Sequence, residues 1–377
     1  MPISINGTGT ITGISAGGLP SGIVTGDTIS NGSISTVDIA DGSITAQKLG
    51  YQNFNFRNRI INGDMRIWQR GTTISDPTSV SNFYTADRWG CNRGGDATGA
   101  VVSRIASGLT GFEYALAMQR ANGNTSTAAP SLWYSNESTN TYDLAGNQVT
   151  LSFWAKAGTT LSSSGSQMYV AIVSGTGTDQ RIYSYTGAVA FSVTYQTITT
   201  SWVRYSFTGT VPSNATELGF QISFTPTGTA GADDSIKITG VQLEAGSTAT
   251  DFERRPIGTE TMLCQRYCWR MSSASTTKIF FQGYMHNTGQ LEGVVPFPVP
   301  MRTQPTLTSS PASQFSLRTT GNVITALYLY ATGGEFEPYT GALLYVSNPT
   351  TGNSVGFGQS LISNSSTATF IQFNAEL

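Results

Sequence analysis

Between residues 100 and 245 apolar and polar side chains alternate with period two. In VTLSFWAKA (149–157), Val149, Leu151, Phe153 and Ala155 fall on one face, and Thr150, Ser152, Trp154 and Lys156 on the other. LGFQISF (218–224) sets Leu218, Phe220, Ile222 and Phe224 inward, and WVRYSF behaves alike. SIKITGVQLE (235–244) alternates with a phase break near Gly240. Turn residues separate these segments. The pattern predicts antiparallel strands wet on one side, assembled as a two-sheet sandwich or jelly roll.

The alternation stops at RRPIGTETMLCQRYCWRM (254–271). Pro256 and Gly258 close the sandwich, Thr259 can cap a helix, and Glu260 sits in its first turn. Helical spacing aligns Leu263 with Tyr267, and Cys264 with Cys268 and Met271. One short helix is expected, packed at a subunit interface. After it the chain is β again. VVPFPVPMRTQP carries Pro296, Pro298 and Pro300 at alternate positions and reads as an edge strand or extended cover. TATFIQFNAEL puts Thr369, Ile371, Phe373, Ala375 and Leu377 on one face, a strand built into a second compact β domain.

Residues 1–50 lack any aromatic side chain, and Asn31-Gly32-Ser33-Ile34 recurs as Asp41-Gly42-Ser43-Ile44. A thin turn-and-strand unit cannot bury its own Ile side chains, but three chains wound together can. The segment reads as a slender trimeric stalk, with a flexible linker as the alternative. The expected organisation is all-β: a stalk over 1–50, a jelly-roll domain over 51–256, and a short helix plus β-sandwich tip over 257–377.

Composition narrows the function classes. Charged residues are 11% of the 377 residues, against ~25% in ordinary domains. Aromatics are also 11%, which excludes a disordered composition. Net charge is −2 and no Lys/Arg run exceeds two residues, so a nucleic-acid partner is not expected. No apolar run reaches the ~20 residues of a membrane helix, so no membrane insertion is expected. MPISINGTGT does not resemble a signal peptide, which points to assembly in a cytoplasm. Cys91, Cys264 and Cys268 are too few for a disulfide framework and read as buried thiols.

NRIINGDMRIWQRG (58–71) is the densest cationic stretch. Asn62-Gly63-Asp64 reads as a turn, followed by a strand with Met65 and Ile67 on one face and Arg66, Trp68 and Arg70 on the other. Arg stacked on Trp68 needs no ligand. Asp87 in ADRW and Glu253, Arg254 and Arg255 in FERR supply partners. These residues are expected to form a polar structural joint rather than a binding site.

Candidate chemistry is sparse. A single histidine, His286, in YMHNTG, offers no triad and reads as an exposed loop or rim residue that can touch a ligand. Glu335 and Glu337 in GGEFEPY alternate like strand neighbours beside Phe336 and Tyr339. Such a pair is either the two carboxylates of glycan cleavage or a polar loop edge touching a ligand. Sugar binding uses aromatic faces with polar neighbours. Trp133, Tyr134 and outward-facing Trp154 qualify in the middle domain; Tyr284, Phe336, Tyr339 and Tyr345 qualify in the tip.

Several stretches together resemble bacteriophage tail fibres and receptor-binding appendages. They are SINGTGTITGISAGGLPSGIV, NRIINGDMRIWQRG with YTADRWG, LSFWAKA, DDSIKITGVQLEAGSTATDFERRPIGTETMLCQRYCWR and VPFPVPMRTQPTLT. The resemblance implies a homotrimeric virion protein, assembled in the host cytoplasm, whose N-terminus docks to other tail proteins and whose C-terminus meets a host glycan or protein. It therefore favours the tip as the ligand site, with no catalytic residue and no cofactor. A glycan hydrolase, or a structural head fibre or tail adaptor, are the alternative roles. Phage appendages that cleave polysaccharide usually resemble long parallel β-helices, a repeat this chain lacks. The middle domain also resembles carbohydrate-binding-module jelly rolls, whose last strand often carries an Asp pair like Asp233-Asp234. That likeness implies a candidate structural calcium site at Asp64, Asp233 and Asp234.

Overall fold

The computed structural model describes residues 34–35, 39, 56–75, 82–94, 100–318, 324–331, 339–347, 355–364 and 366–377. The expected stalk and its repeat lie outside the described residues but for three positions. Residues 56–377 form one compact unit.

The unit is built from antiparallel sheets. The first has the order β1 (Thr73–Ser75), β4 (Ala100–Leu109), β5 (Phe112–Arg120), β12 (Ser235–Ala245), β7 (Gln148–Ala157), β10 (Val203–Thr210). The second has the order β2 (Asn82–Tyr84), β3 (Gly90–Asn92), β6 (Ser131–Ser135), β11 (Glu217–Ser223), β8 (Gln167–Gly175), β9 (Val189–Thr197). Their inner faces share one core. Val149, Leu151, Phe153 and Ala155 of β7 meet Leu218, Phe220 and Ile222 of β11 there, all fully buried as the alternation predicts. Each of these side chains except Ala155 contributes roughly 1.5–3 kcal/mol by leaving water.

The phase break in β12 is a bulge. The register shifts between Thr239 and Gln242, and Gly240 takes a φ of 63°. One inserted residue switches parity, so Ile236 and Ile238 before it and Val241 and Leu243 after it all face the core. β5 pairs with β12 only over Ser235–Ile238. The segment 58–63 takes the remaining edge: Arg59 N donates to Leu243 O at 2.8 Å and Val241 N to Gly63 O at 2.9 Å.

The segment 58–71 therefore differs from the expected strand. It is a chain of turns, with Asn62 and Met65 at φ of 59° and 60°. Trp68 does not stack under arginine. It is buried in the sandwich core and its Nε1 donates to Met65 O at 2.8 Å.

Helix α1 (Ile257–Gln265) follows, starting from Pro256 with no side-chain cap, so Thr259 lies inside the helix rather than at its cap. It ends before Cys268, which opens β13 (Cys268–Ser272), so Cys268 and Met271 belong to a strand instead. β13 pairs with β21 (Phe370–Asn374), which pairs with β16 (Thr306–Ser309). The last sheet has the order β17 (Phe315–Leu317), β20 (Gly358–Ser363), β14 (Ile279–Asn287), β15 (Gln290–Pro296), β19 (Gly341–Ser347), β18 (Ala326–Ala331). A separate core joins these sheets, with Met285, Leu291, Leu344, Leu361, Ile371 and Phe373 fully enclosed. All three cysteines are free and buried, and burial pushes the Cys264 and Cys268 thiols up.

Candidate functional site

The polar joint forms, with more partners than the sequence indicates. Asp87, fully buried, accepts from Gln69 N at 2.9 Å and lies 3.8 Å from Arg70. Arg70 also pairs with Glu376 at 2.9 Å. Arg88 pairs with Glu376 at 2.5 Å, donates to Ser135 O at 2.7 Å, and lies 3.7 Å over the Tyr267 ring. Glu137 takes Arg266 at 2.6 Å and the Tyr267 hydroxyl at 2.7 Å. Burial raises the Glu137 carboxyl, but these donors outweigh it and hold the group below its ordinary value. Glu253 accepts from Asn58 N at 2.8 Å; Arg255 pairs with Glu260 at 3.2 Å; Arg254 lies 4.5 Å over Phe112. Arg66 pairs with Asp64 at 2.6 Å. Arg88, Glu137 and Glu376 were not singled out from the sequence, because their partners are distant along the chain.

The expected calcium site does not assemble. Asp64 is held by Arg66, Asp233 by Lys237 at 2.8 Å, and Asp234 by the buried Arg120 at 3.0 Å. Ser162 N and Oγ also donate to Asp234, each at 2.8 Å. Carboxylates already neutralised by cations are poor ligands for a divalent ion. Among the described residues no group of three acidic, His or Cys side chains is placed to hold a metal.

The middle-domain aromatics also differ from expectation. Trp133 and Tyr134 are each 1% exposed and cannot serve as platforms. Tyr134 faces the core, while Trp133 lies on the outer side of the second sheet beneath Ile182 and Tyr185. Trp154 is half-buried between Arg204 and Thr239 in the strand register.

In the tip three expected residues converge. Antiparallel register aligns Tyr284 of β14 with Glu292 of β15, and Glu292 with Tyr345 of β19. Met285, Leu291 and Val346 point into the core, so this row faces solvent. His286 lies two residues beyond Tyr284 on the same face. The Tyr284 hydroxyl donates to Glu292 Oε2 at 3.0 Å, and His286 Nδ1 lies 3.2 Å from that oxygen. The His286 and Tyr345 rings meet edge to face, with centroids 5.9 Å apart. The hydrogen bond to Glu292 raises the Tyr284 phenol above its ordinary value, keeping it a donor. Tyr284 is 47% exposed and Val294, on the same face, 50%.

Glu292 completes this row and was missed in the sequence. The signal was available: the turn at 287–290 makes Tyr284 and Glu292 cross-hairpin neighbours. Tyr339 packs instead against the C-terminal core. Glu335, Phe336 and Glu337 lie outside the described residues. The row presents aromatic faces, a carboxylate acceptor and an imidazole, which is the chemistry of hydroxyl recognition. Glycoside hydrolysis takes two carboxylates, and Glu292 is the one acid in this row among the described residues.

No protein-family model matches this chain, and no curated protein matches it. Solved structures do. A CBM4 domain is 20% identical over 49% of this chain and 98% of its own length, with a TM-score of 0.31. A putative sugar-binding protein from Bacteroides thetaiotaomicron is 14% identical over 50% of this chain and 100% of its own, with a TM-score of 0.32. The enzymatically active domain of tailspike protein 4 from bacteriophage CBA120 is 14% identical over 50% of this chain and 22% of its own, with a TM-score of 0.29.

Proposed function

We propose that this chain is a non-enzymatic recognition protein, a homotrimeric tail-fibre subunit that attaches a phage to a bacterial surface glycan or protein. The observation that carries this reading is the solvent-facing row of Tyr284, His286, Glu292 and Tyr345 on one sheet. Among the described residues such a row offers stacking faces and hydrogen-bond partners, with one carboxylate where glycoside hydrolysis ordinarily takes two. The quoted sequence resemblance supplies the virion context and the docking of the N-terminal segment to other tail proteins. Three tips per fibre would turn weak contacts into firm attachment by avidity.

The test is binding of the full chain to a panel of immobilised bacterial lipopolysaccharides and capsular polysaccharides. Binding to at least one, weakened tenfold or more in Tyr284→Ala with unchanged melting, is expected. Full binding by Tyr284→Ala and Glu292→Gln would move the site elsewhere. Release of reducing sugar from the bound polysaccharide would overturn the non-enzymatic part. Light scattering should give three times the chain mass, and a stable monomer would refute the fibre assignment.

A further inference from the structure

The second sheet of the sandwich has an outer face that the core does not use. Over much of that face the loop 176–188 folds back, burying Ile182 and Tyr185 against Trp133, Ala171 and Val173. Tyr195, on the edge strand β9, nevertheless stays 62% exposed. It sits across the register from Tyr169 of β8. The two rings meet at 62° with centroids 5.2 Å apart, so they form a corner rather than a flat stack. A cavity of about 100 Å³ opens at this corner, lined by Ser164, Gln167, Tyr169, Tyr195 and Thr225.

Three features of the corner specify a ligand. First, the lining carries no charged side chain, which disfavours anionic and cationic ligands alike. Second, the hydroxyls of Ser164 and Thr225 and the amide of Gln167 find no hydrogen-bond partner within the described protein, whereas the backbone around them is pinned. Ser164 N donates to Thr225 O at 2.9 Å and Ile198 N to Ser166 O at 3.0 Å. The backbone that carries these polar groups is thus fixed, and the side chains themselves line the opening. Third, the cavity is far below the ~300 Å³ of pockets that enclose small molecules. It can take one ring of a longer chain, not a whole ligand.

We propose that the Tyr169–Tyr195 corner is a second carbohydrate subsite, taking one pyranose residue of a neutral glycan. The apolar face of the ring lies on one tyrosine and its edge against the other, while the ring hydroxyls meet Gln167, Ser164 and Thr225. The proposal shares only its ligand class with the tip reading. It concerns a different sheet and different residues.

The experiment is calorimetric titration of the full chain with cellohexaose, xylohexaose and maltohexaose. At least one should bind, and Tyr195→Ala should weaken that binding tenfold or more without lowering the melting temperature. Gln167→Ala should weaken it severalfold. Absence of binding by all three, or affinities within twofold of wild type in both variants, would overturn the proposal. Loss of that binding in Tyr284→Ala would also overturn it, by placing the sugar at the tip. A corner that responds to Tyr195→Ala stands even if Tyr284→Ala attaches normally to bacterial polysaccharides, an outcome that removes the tip reading alone.

Discussion

Buried charges in this protein are shared among several partners, and this sharing determines what each substitution should do. Arg120 is 1% exposed and serves Asp234, Ser162 Oγ at 2.9 Å and the carbonyls of Asn124 and Ser126. Asp234→Ala should cost ~3–5 kcal/mol in chemical denaturation, because it strands a buried cation. Adding calcium or a chelator should leave the wild-type melting temperature unchanged; a calcium-dependent rise would restore the metal reading. Glu137 is one source of pH dependence. Its folded value lies below the ordinary 4.5, so its stabilisation is complete above that pH and is lost as pH falls through the lower folded value. Glu137→Gln should therefore be less stable than wild type at pH 7, by ~1–3 kcal/mol in chemical denaturation, and the difference should shrink as pH falls below 4.5 through the lower folded value. A gap that is constant with pH would mean that packing, not the ion pair, holds Arg266 and Tyr267. Sequence reading found the cationic stretch and its carboxylate partners but not its geometry. Arg66, Arg70, Asp87 and Glu253 are all placed in ion pairs or hydrogen bonds, whereas Trp68 is taken by the core. Local spacing cannot tell an arginine partner from a core partner for an indole.

At the scale of elements, legibility follows from whether the apolar side chains keep to one face. β7, β11 and β21 alternate because one side packs apolar groups into a core while the other carries mostly polar ones, several of them buried in hydrogen bonds as Thr150 and Glu217 are, so their inward residues were readable one by one. The 58–71 segment was not, because it pairs as single hydrogen bonds along the edge of β12 and buries side chains on both sides. Trp133 and Tyr134 are adjacent in β6 and point opposite ways, yet both are covered, one by the core and one by the 176–188 loop. Alternation alone could not show the second cover. The β12 bulge was legible as a phase break, and it makes a sharp prediction. A Cβ at Gly240 would meet the Phe112 ring at 2.6 Å in a left-handed conformation. Gly240→Ala should destabilise by ~1–2 kcal/mol from the backbone alone, plus the cost of moving Phe112 off Phe252 and Arg254. Equal stability of Gly240→Ala would show that the bulge relaxes without strain.

Across the whole unit, the question is whether the two cores act together. The sandwich core and the C-terminal core are distinct, yet the chain beyond β21 returns to the sandwich. Glu376 pairs with Arg70 and Arg88, the Tyr84 hydroxyl donates to Leu377 O at 2.7 Å, and Arg302 bridges Ala375 O at 2.8 Å and Asp179 at 3.0 Å. Gln69 adds a link from the sandwich side to Cys268 O at 2.5 Å and Arg270 N at 3.1 Å. Contacts this buried cost several kcal/mol to open one at a time, so neither core can melt without exposing charges that belong to the other. Calorimetry on the full chain should accordingly show one transition for residues 56–377. Glu376→Ala removes the carboxylate shared by two buried arginines and should both lower that transition and split it, with the C-terminal core melting first. Two transitions in the wild type would mean that the joint does not couple the cores. A single transition that merely shifts in Glu376→Ala would mean that other contacts, such as Arg266 with Glu137, carry the coupling. In a receptor-binding role the coupled outcome matters, because a tip row held rigidly on the sandwich spends no binding energy on ordering itself.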